Sequence, residues 1–521
     1  MKGEPKKVLL LAPTMSRDTS MTKWLSPCIG IYRIAGFLQM HGHHVECYDY
    51  GLFLANGTSV DIGDKFKEKN WDFIGFSVLE ESLPNDISNM HRARESCPDA
   101  TIIAGGIEAQ YNYQTILDKS PCRICVLGEG ERPMLEIVNG TPLQDVAGVV
   151  FKNLANVQTE GEFWEVSAAM RYEELPYEKY WRHYTSLYEG NLSHQNLLKI
   201  HTVRIFTRNY CPVGCKFCVS TNQLSDAAGI KRAKVVDIIG ERLVELVKRI
   251  VKAQPLAKTI YFTDDDFCAS LNKVKLFCKG IIEEKIDISF ICFARADRFD
   301  EETIALMAAA GFRIVNMGLE SFAENVWKEY GKKYSYEKVV NTLGLFEKYG
   351  ITPFTSVILC GPEARLKDIE LTARTLLEYL QAGKLEAGVN ISVQPYRGSF
   401  YHDQYHDIEV EIIPIEGTKY KIRKEYFIRC QDPEARELQY RFLERYPGII
   451  GREHEEGRVI HATSSAQARL KLELILELIE ELKAENDDPA KRDELKKAVD
   501  QVERGVKAIR SMQKYSSGSA L

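Results

Sequence analysis

Along the first 150 residues, short apolar runs that stop at glycine or proline alternate with stretches of helical spacing. "KVLLLAP", "HVECYDY", "WDFIGFSVLEES", "ATIIAGGIEA" and "RICVLGEGE" read as strands; "GIYRIAGFLQMHG", "NDISNMHRARESC" and "RPMLEIVNG" read as helices. Such alternation buries its apolar faces as a doubly wound parallel sheet with helices on both sides, an α/β architecture. Ligands of these sheets bind beyond the carboxyl ends of the strands. Here those ends carry Pro13, Ser77 to Glu80, Gly105 and Gly106, and Gly128 to Glu131. Glycine there lets backbone approach a ligand closely, though it also serves an ordinary tight turn. The alternation resumes with "LLKIHTVRIFTRNYC" and continues through "KTIYFTDDDF", "ISFICFARAD", "RIVNMGLES", "TPFTSVILCG" and "GVNISVQPY". Helical stretches such as "DIIGERLVELVKRIVKA", "ETIALMAAAG" and "SYEKVVNTLGLFEKYG" lie between them. Six strands with intervening helices suit a full or partial parallel barrel.

The chain therefore divides into a first domain (1–150), a polar and aromatic connector (151–195), a barrel (196–400) and a C-terminal region (401–521). In the last, "SSAQARLKLELILELIEELKAE" and a second stretch with Leu495, Val499, Val502, Val506 and Ile509 at helical spacing predict a helical hairpin. A net charge of -6 with both signs mixed argues against a protein built to hold nucleic acid. The apolar run near the N-terminus is too short for a signal peptide, and no stretch is long enough to span a bilayer. Most of the 13 cysteines stand singly, which argues for a reducing cytoplasm rather than a disulfide framework. His41, His43 and His44 follow a helix and are expected at the surface, as are His402 and His406 in "YHDQYHD", for which contact with substrate is the alternative.

"CPVGCKFC" breaks the scatter: Cys211, Cys215 and Cys218 sit within eight residues, just after the first barrel strand. Three thiolates on one loop can hold three irons of a cubane and leave the fourth without a protein ligand. Zinc sites bring a second ligand pair at longer spacing, and the only other close pair, Cys122 and Cys125, lies in the first domain. Iron–sulfur ligation fits better.

The C-x3-C-x-aromatic-C loop resembles that of the radical S-adenosylmethionine (SAM) superfamily, with Phe217 in the aromatic position. The resemblance implies that the three cysteines hold a [4Fe-4S] cluster whose free iron chelates SAM. It also implies that reductive cleavage of SAM yields a 5'-deoxyadenosyl radical. "FTDDDF" resembles the second-strand motif that meets the SAM amino group, which offers Asp264, Asp265 and Asp266; a carboxylate suits an ammonium partner. "FARADRF" resembles the third-strand segment, which implies Arg295 beside the SAM carboxylate. "NMGLESF" resembles the fourth-strand G-x-E-S, which implies Gly318, Glu320 and Ser321 near ribose and methionine. "QPYRGSF" resembles the sixth-strand ending, and "CGPEAR", one glycine short of the family's fifth-strand motif, offers Gly361 for adenine. The first domain resembles the Rossmann-like cobalamin-binding domain that precedes the barrel in one branch of the superfamily. The carrying segments are "SPCIGIYRIAGFLQMHGHHV", "GFSVLEES", "AGGIEA" and "LGEGE". They nominate Gly30; Ser77, Val78, Leu79 and Glu80; Gly105, Gly106, Ile107 and Glu108; and Gly128, Glu129 and Gly130, with the nucleotide tail descending past them. The loop from Pro13 to Pro27 contains no histidine, so it offers none to cobalt.

These resemblances imply a cobalamin-dependent radical SAM enzyme that C-methylates an unactivated carbon of a small-molecule, lipid or natural-product substrate, with flavodoxin or ferredoxin as electron donor. Two alternatives stand beside it. One is a corrinoid-free radical enzyme with a degenerate first domain, performing cyclisation, oxidation or C–C bond formation; the other is a non-catalytic iron–sulfur electron carrier. A zinc-binding interaction module lacks its fourth ligand.

Overall fold

The computed structural model describes residues 4–14, 26–50, 52, 61–151, 154–155, 170–187, 200–220, 226, 235–455 and 464–486. The first domain runs β1 (Lys7–Leu11), α1 (Ile29–Met40), β2 (His44–Tyr48), α2 (Ile62–Lys67), β3 (Phe73–Ser77), α3 (Leu83–Ser96), β4 (Thr101–Gly105), α4 (Ile107–Lys119), β5 (Ile124–Val126) and α5 (Glu131–Val138). Short antiparallel strands β6 (Val149–Phe151) and β7 (Leu154–Ala155) extend the sheet, whose order is β2-β1-β3-β4-β5-β6-β7. The strand order reverses between β1 and β3, so the crevice beyond their carboxyl ends is the ligand position of such a sheet. Both faces are buried. Val8, Leu10, Ile103 and Val126 pack with α1 and α5, while Leu9, Ile74, Phe76 and Ile102 pack on the other side. His43 is not at the surface: it is 7% exposed, accepts the Lys6 N–H at 3.3 Å and meets Asn139 at 3.1 Å. Pairing with the N-terminal backbone draws it under the strand ends.

The connector supplies α6 (Tyr177–Leu187), whose Tyr177, Tyr180 and Trp181 are fully buried in the barrel core. The Tyr180 hydroxyl donates to Asp49 at 2.8 Å, tying the two domains together. The barrel follows as β8 (Thr202–Ile205), α7 (Glu241–Ala253), β9 (Thr259–Phe262), α8 (Leu271–Glu283), β10 (Ser289–Ala294), α9 (Glu301–Ala310), β11 (Phe312–Glu320), α10 (Glu324–Glu329), α11 (Tyr336–Tyr349), β12 (Thr352–Cys360), α12 (Leu366–Gln381) and β13 (Glu386–Ser392). All six strands are parallel in the order β13-β12-β11-β10-β9-β8, an open arc rather than a closed barrel. Local signals set the helix ends: Ser270, Asp300 and Ser335 cap the N-termini of α8, α9 and α11. Gly311 and Gly350 end α9 and α11 in the left-handed region, at φ +104° and +68°.

After α13 (Phe400–Gln404), an antiparallel pair, β14 (Ile408–Pro414) and β15 (Lys421–Ile428), reaches from the barrel to the first domain, where Ile415 and Ile422 join its core. Two long helices close the described chain, α14 (Pro433–Glu455) and α15 (Ser464–Asn486). The helical hairpin thus pairs α15 with the helix before it; the stretch bearing Leu495 and Ile509 lies outside the described residues. α15 covers the open edge of β13. Ser465 Oγ accepts the Ala387 N–H at 3.1 Å, and Lys471 Nζ donates to the Val389 carbonyl at 2.8 Å. An edge strand left bare would present unpaired backbone to other chains.

Candidate active site

The cysteine loop leaves β8 at the carboxyl edge of the arc. Gly214, at φ +86°, turns the chain between Cys211 and Cys215. The Lys216 N–H donates to the Tyr330 carbonyl at 3.1 Å, and the Tyr401 N–H donates to the Lys216 carbonyl at 3.0 Å. Phe217 packs edge-to-face on Tyr330 at 5.3 Å. The loop is thus clamped between α10 and α13. All three thiols are half-buried, and burial pushes Cys211 up to about 12 and raises Cys218. Thiolates there need a bound cation to offset desolvation. Among the described residues no three ligand-type side chains converge on one point.

The acidic run after β9 divides by environment. Asp264 is fully buried and accepts the Thr207 and Arg208 N–H groups at 2.6 and 2.8 Å, together with the Thr207 hydroxyl. Lys273, 1% exposed at its side chain, lies 3.8 Å away and donates to Thr207 Oγ1 at 2.7 Å and to Asp237 at 2.8 Å. Asp237 also receives a two-pronged pair from Arg208 at 2.9 and 2.7 Å. Asp265 is hydrogen-bonded by Ser220, next to the cysteine loop. Asp266 differs: it is 1% exposed, and neither carboxylate oxygen accepts a hydrogen bond. Its near cation, Arg298 Nε, stands at 3.8 Å, and burial pushes the carboxyl up to about 6.

Across the mouth, Arg295 grips Asp297 at 3.0 and 3.1 Å and keeps Nη1 buried without a partner. Glu320 ends β11 in the left-handed region at φ +64°, buried against Lys332 at 3.2 Å. A Cβ on Gly318 would stand 2.6 Å from Glu320 Oε1 and 3.0 Å from Lys332 Nζ, so a side chain there would make the pair shift. Ser321 bonds Thr372 at 2.8 Å and accepts the Ala323 N–H, and so braces the turn from within. Gly361 lies against the buried Tyr330 hydroxyl, which a Cβ would meet at 2.2 Å.

Two clefts open between the domains. The first, of about 310 Å³, is lined by Gly30, Ser77, Gly105, Gly106 and Gly128 to Gly130, and is closed on the barrel side by Phe206, Arg208 and Asn209. The second, of about 270 Å³, holds Leu79, Glu80, Ile107, Glu108, Tyr111, Tyr396, Arg397 and Val219, the residue after Cys218.

The B12 binding domain model matches residues 25–138, and the Radical SAM superfamily model matches residues 205–376. This chain is a radical SAM protein with a B12-binding domain. It is 23% identical over 377 residues to an uncharacterized methyltransferase of Pyrococcus horikoshii, covering 71% of this chain and 77% of that one. Among solved structures it resembles the cobalamin-dependent S-adenosylmethionine radical enzyme OxsB with aqua-cobalamin bound, at TM-score 0.65 and 15% identity, over 96% of this chain and 76% of the other. It also resembles the radical S-adenosylmethionine methyltransferase TsrM of Kitasatospora setae with cobalamin and a [4Fe-4S] cluster bound, at TM-score 0.60 and 15% identity, over 81% and 84%.

The B12-binding domain splits the nominated residues. Gly30, Ser77, Gly105, Gly106, Gly128, Glu129 and Gly130 share one cleft; Leu79, Glu80, Ile107 and Glu108 face the other. Val78 lines neither: it is fully buried, and its N–H donates to the Gly105 carbonyl at 2.8 Å. A single descent past Ser77 to Glu80 is therefore replaced by a turn at Val78. His406 is exposed as expected, whereas His402 is half-buried and held by Glu425 at 3.2 Å. In the radical SAM domain, sequence reading missed Lys332, Lys273, Asp237 and Arg208. Only the "KK" of Lys332 and Lys333, following G-x-E-S, hinted at a cation near the site; the others meet through long-range contacts.

Proposed function

We propose that this enzyme is a cobalamin-dependent radical SAM methyltransferase that C-methylates an unactivated carbon of a small-molecule substrate. The observation that carries the reading is the shared interface: the glycine-lined cleft of the B12-binding domain is closed by the chain leading into the cysteine loop, through Phe206, Arg208 and Asn209. The residues fit the cofactors. Three half-buried thiols suit the cluster, and a glycine cradle at the strand-order reversal suits a corrinoid tail. Cluster and SAM supply the 5'-deoxyadenosyl radical when bound, and cobalamin supplies the methyl carrier.

Cys211, Cys215 and Cys218 hold the cluster, and Phe217 with Tyr330 braces their loop. Asp266 takes the SAM ammonium, whose N–H groups supply the hydrogen bonds that neither of its carboxylate oxygens has. Arg295 Nη1 and Lys332 face the SAM carboxylate, with Glu320 holding Lys332 in place. Gly361 makes room for the Tyr330 side chain at the end of the fifth strand rather than for adenine. Asp264 acts one layer below, fixing the start of the cysteine loop through Thr207 and Arg208. The second cleft receives substrate beside Val219, and its walls exclude water from the radical. A one-electron carrier such as flavodoxin or ferredoxin reduces the cluster. The thirteen free thiols suit a reducing cytoplasm.

The test is anaerobic turnover of reconstituted protein with SAM carrying a trideuterated methyl group. Formation of 5'-deoxyadenosine together with label transfer to an added candidate substrate supports the reading. Deoxyadenosine formed, with product made equally well in corrinoid-free protein, rejects the cobalamin role.

A further inference from the structure

Resting on the corrinoid reading above, we propose that the first cleft selects its corrinoid by the base of the nucleotide tail and favours a purine such as adenine over dimethylbenzimidazole. Arg33 and Glu131 are the reading pair. The cleft runs between the sheet and two helices, α1 and α5, and its walls are largely apolar: Leu10, Ile103, Val126 and Met134. Into this lining α1 projects Arg33 and α5 projects Glu131, with Nη2 and Oε1 3.1 Å apart. Their side chains are only 15% and 6% exposed.

A charged donor and a charged acceptor side by side in an apolar cleft suit a ligand edge that presents one acceptor and one donor. The edge of adenine does so, with ring nitrogens that accept beside an amino group that donates. Dimethylbenzimidazole carries methyl groups and a single acceptor nitrogen. Seated against the pair, it strips the remaining water and returns no hydrogen bond to the carboxylate, which is costly for a buried polar group. The tail phosphate is a poor occupant of the same wall, because the Glu129 and Glu131 carboxylates both line it.

The experiment is an anaerobic binding titration, followed by the corrinoid absorbance, with three probes: adeninyl cobamide, cobalamin and cobinamide, which lacks the nucleotide. The expected order is adeninyl cobamide at least tenfold tighter than cobalamin, with cobinamide weakest. In Glu131→Gln and Arg33→Met the first ratio falls toward one, while cobinamide affinity stays unchanged. The wild-type order needs no variant, so it holds as a test even if a variant folds poorly. Cobalamin bound as tightly as adeninyl cobamide overturns base selection. Cobinamide bound as tightly as both shows that the cleft does not hold the tail, which overturns this inference and leaves the corrinoid reading standing. Failure of all three to bind overturns both.

Discussion

Asp264 and Asp266 lie two residues apart and meet opposite surroundings. Asp264 is saturated by backbone and hydroxyl donors, while Asp266 is buried with both oxygens bare. Their substitutions therefore separate. Asp266→Asn is expected to weaken SAM binding by about 1.5–3 kcal/mol, the worth of a charged hydrogen bond, with iron content unchanged. Isothermal titration with SAM checks this; unchanged affinity removes Asp266 from the site. Asp264→Asn is expected to lower the melting temperature and loosen the cysteine loop. Another buried acid gives a pH signature. Asp86 holds Thr14 and Ser82 in the first domain, and burial pushes its carboxyl up to about 7. A folded value above the unfolded one means the native state keeps its proton longer, so stability falls as pH rises from roughly 4 to 7, by at most about 4 kcal/mol. Asp86→Asn is expected to flatten that slope in pH-dependent denaturation; an unchanged slope assigns it elsewhere. The division between Asp264 and Asp266 was not legible in "FTDDDF", which presents three equal carboxylates until tertiary contacts distinguish them.

At the scale of elements, the parallel strands β1–β5 and β8–β13 were legible as short apolar runs between helical stretches, whereas the antiparallel β6, β7, β14 and β15 were not read. α1, α9 and α11 were also legible, with glycine stops. α4 was not: it interrupts its helical geometry at Asn112, and its first turn carries the residues read as a binding loop. α14 was missed because its charges follow no clean apolar period. Adjacent glycines also differ in what they permit. Gly106 sits at φ +93° and ψ 176°, with Val78 O 2.8 Å from any Cβ, so Gly106→Ala costs roughly 1–3 kcal/mol of folding or more whatever binds. Gly105 has 4.0 Å of clearance and lines the cleft. Gly105→Val is therefore the clean probe: corrinoid affinity is expected to fall at least tenfold, with little change in melting temperature. Intact affinity moves the tail out of this cleft. Removing residues from 464 onward bares the β13 edge, and sedimentation velocity is expected to show self-association; a monodisperse, equally stable product contradicts the edge-covering role.

At the scale of the molecule, two α/β units turn their carboxyl edges toward one another, joined by Tyr180 on Asp49 and by β14–β15 reaching back to the first core. Each site was legible alone, from three cysteines and a set of glycines. Their meeting was not, because Arg208, Phe206 and Val219 join the clefts only through the relative placement of the domains. The central claim is that one chain holds a SAM-binding cluster and a corrinoid at the same time. Electron paramagnetic resonance of a single reduced sample, reconstituted with iron, sulfide and cobalamin, tests it most directly. The account predicts a [4Fe-4S] signal that shifts when SAM is added, alongside a cobalt(II) spectrum free of nitrogen splitting, as for a corrinoid with its base withdrawn into the first cleft. A cluster signal indifferent to SAM, or a cobalt spectrum that keeps the nitrogen splitting of free cobalamin, would contradict it.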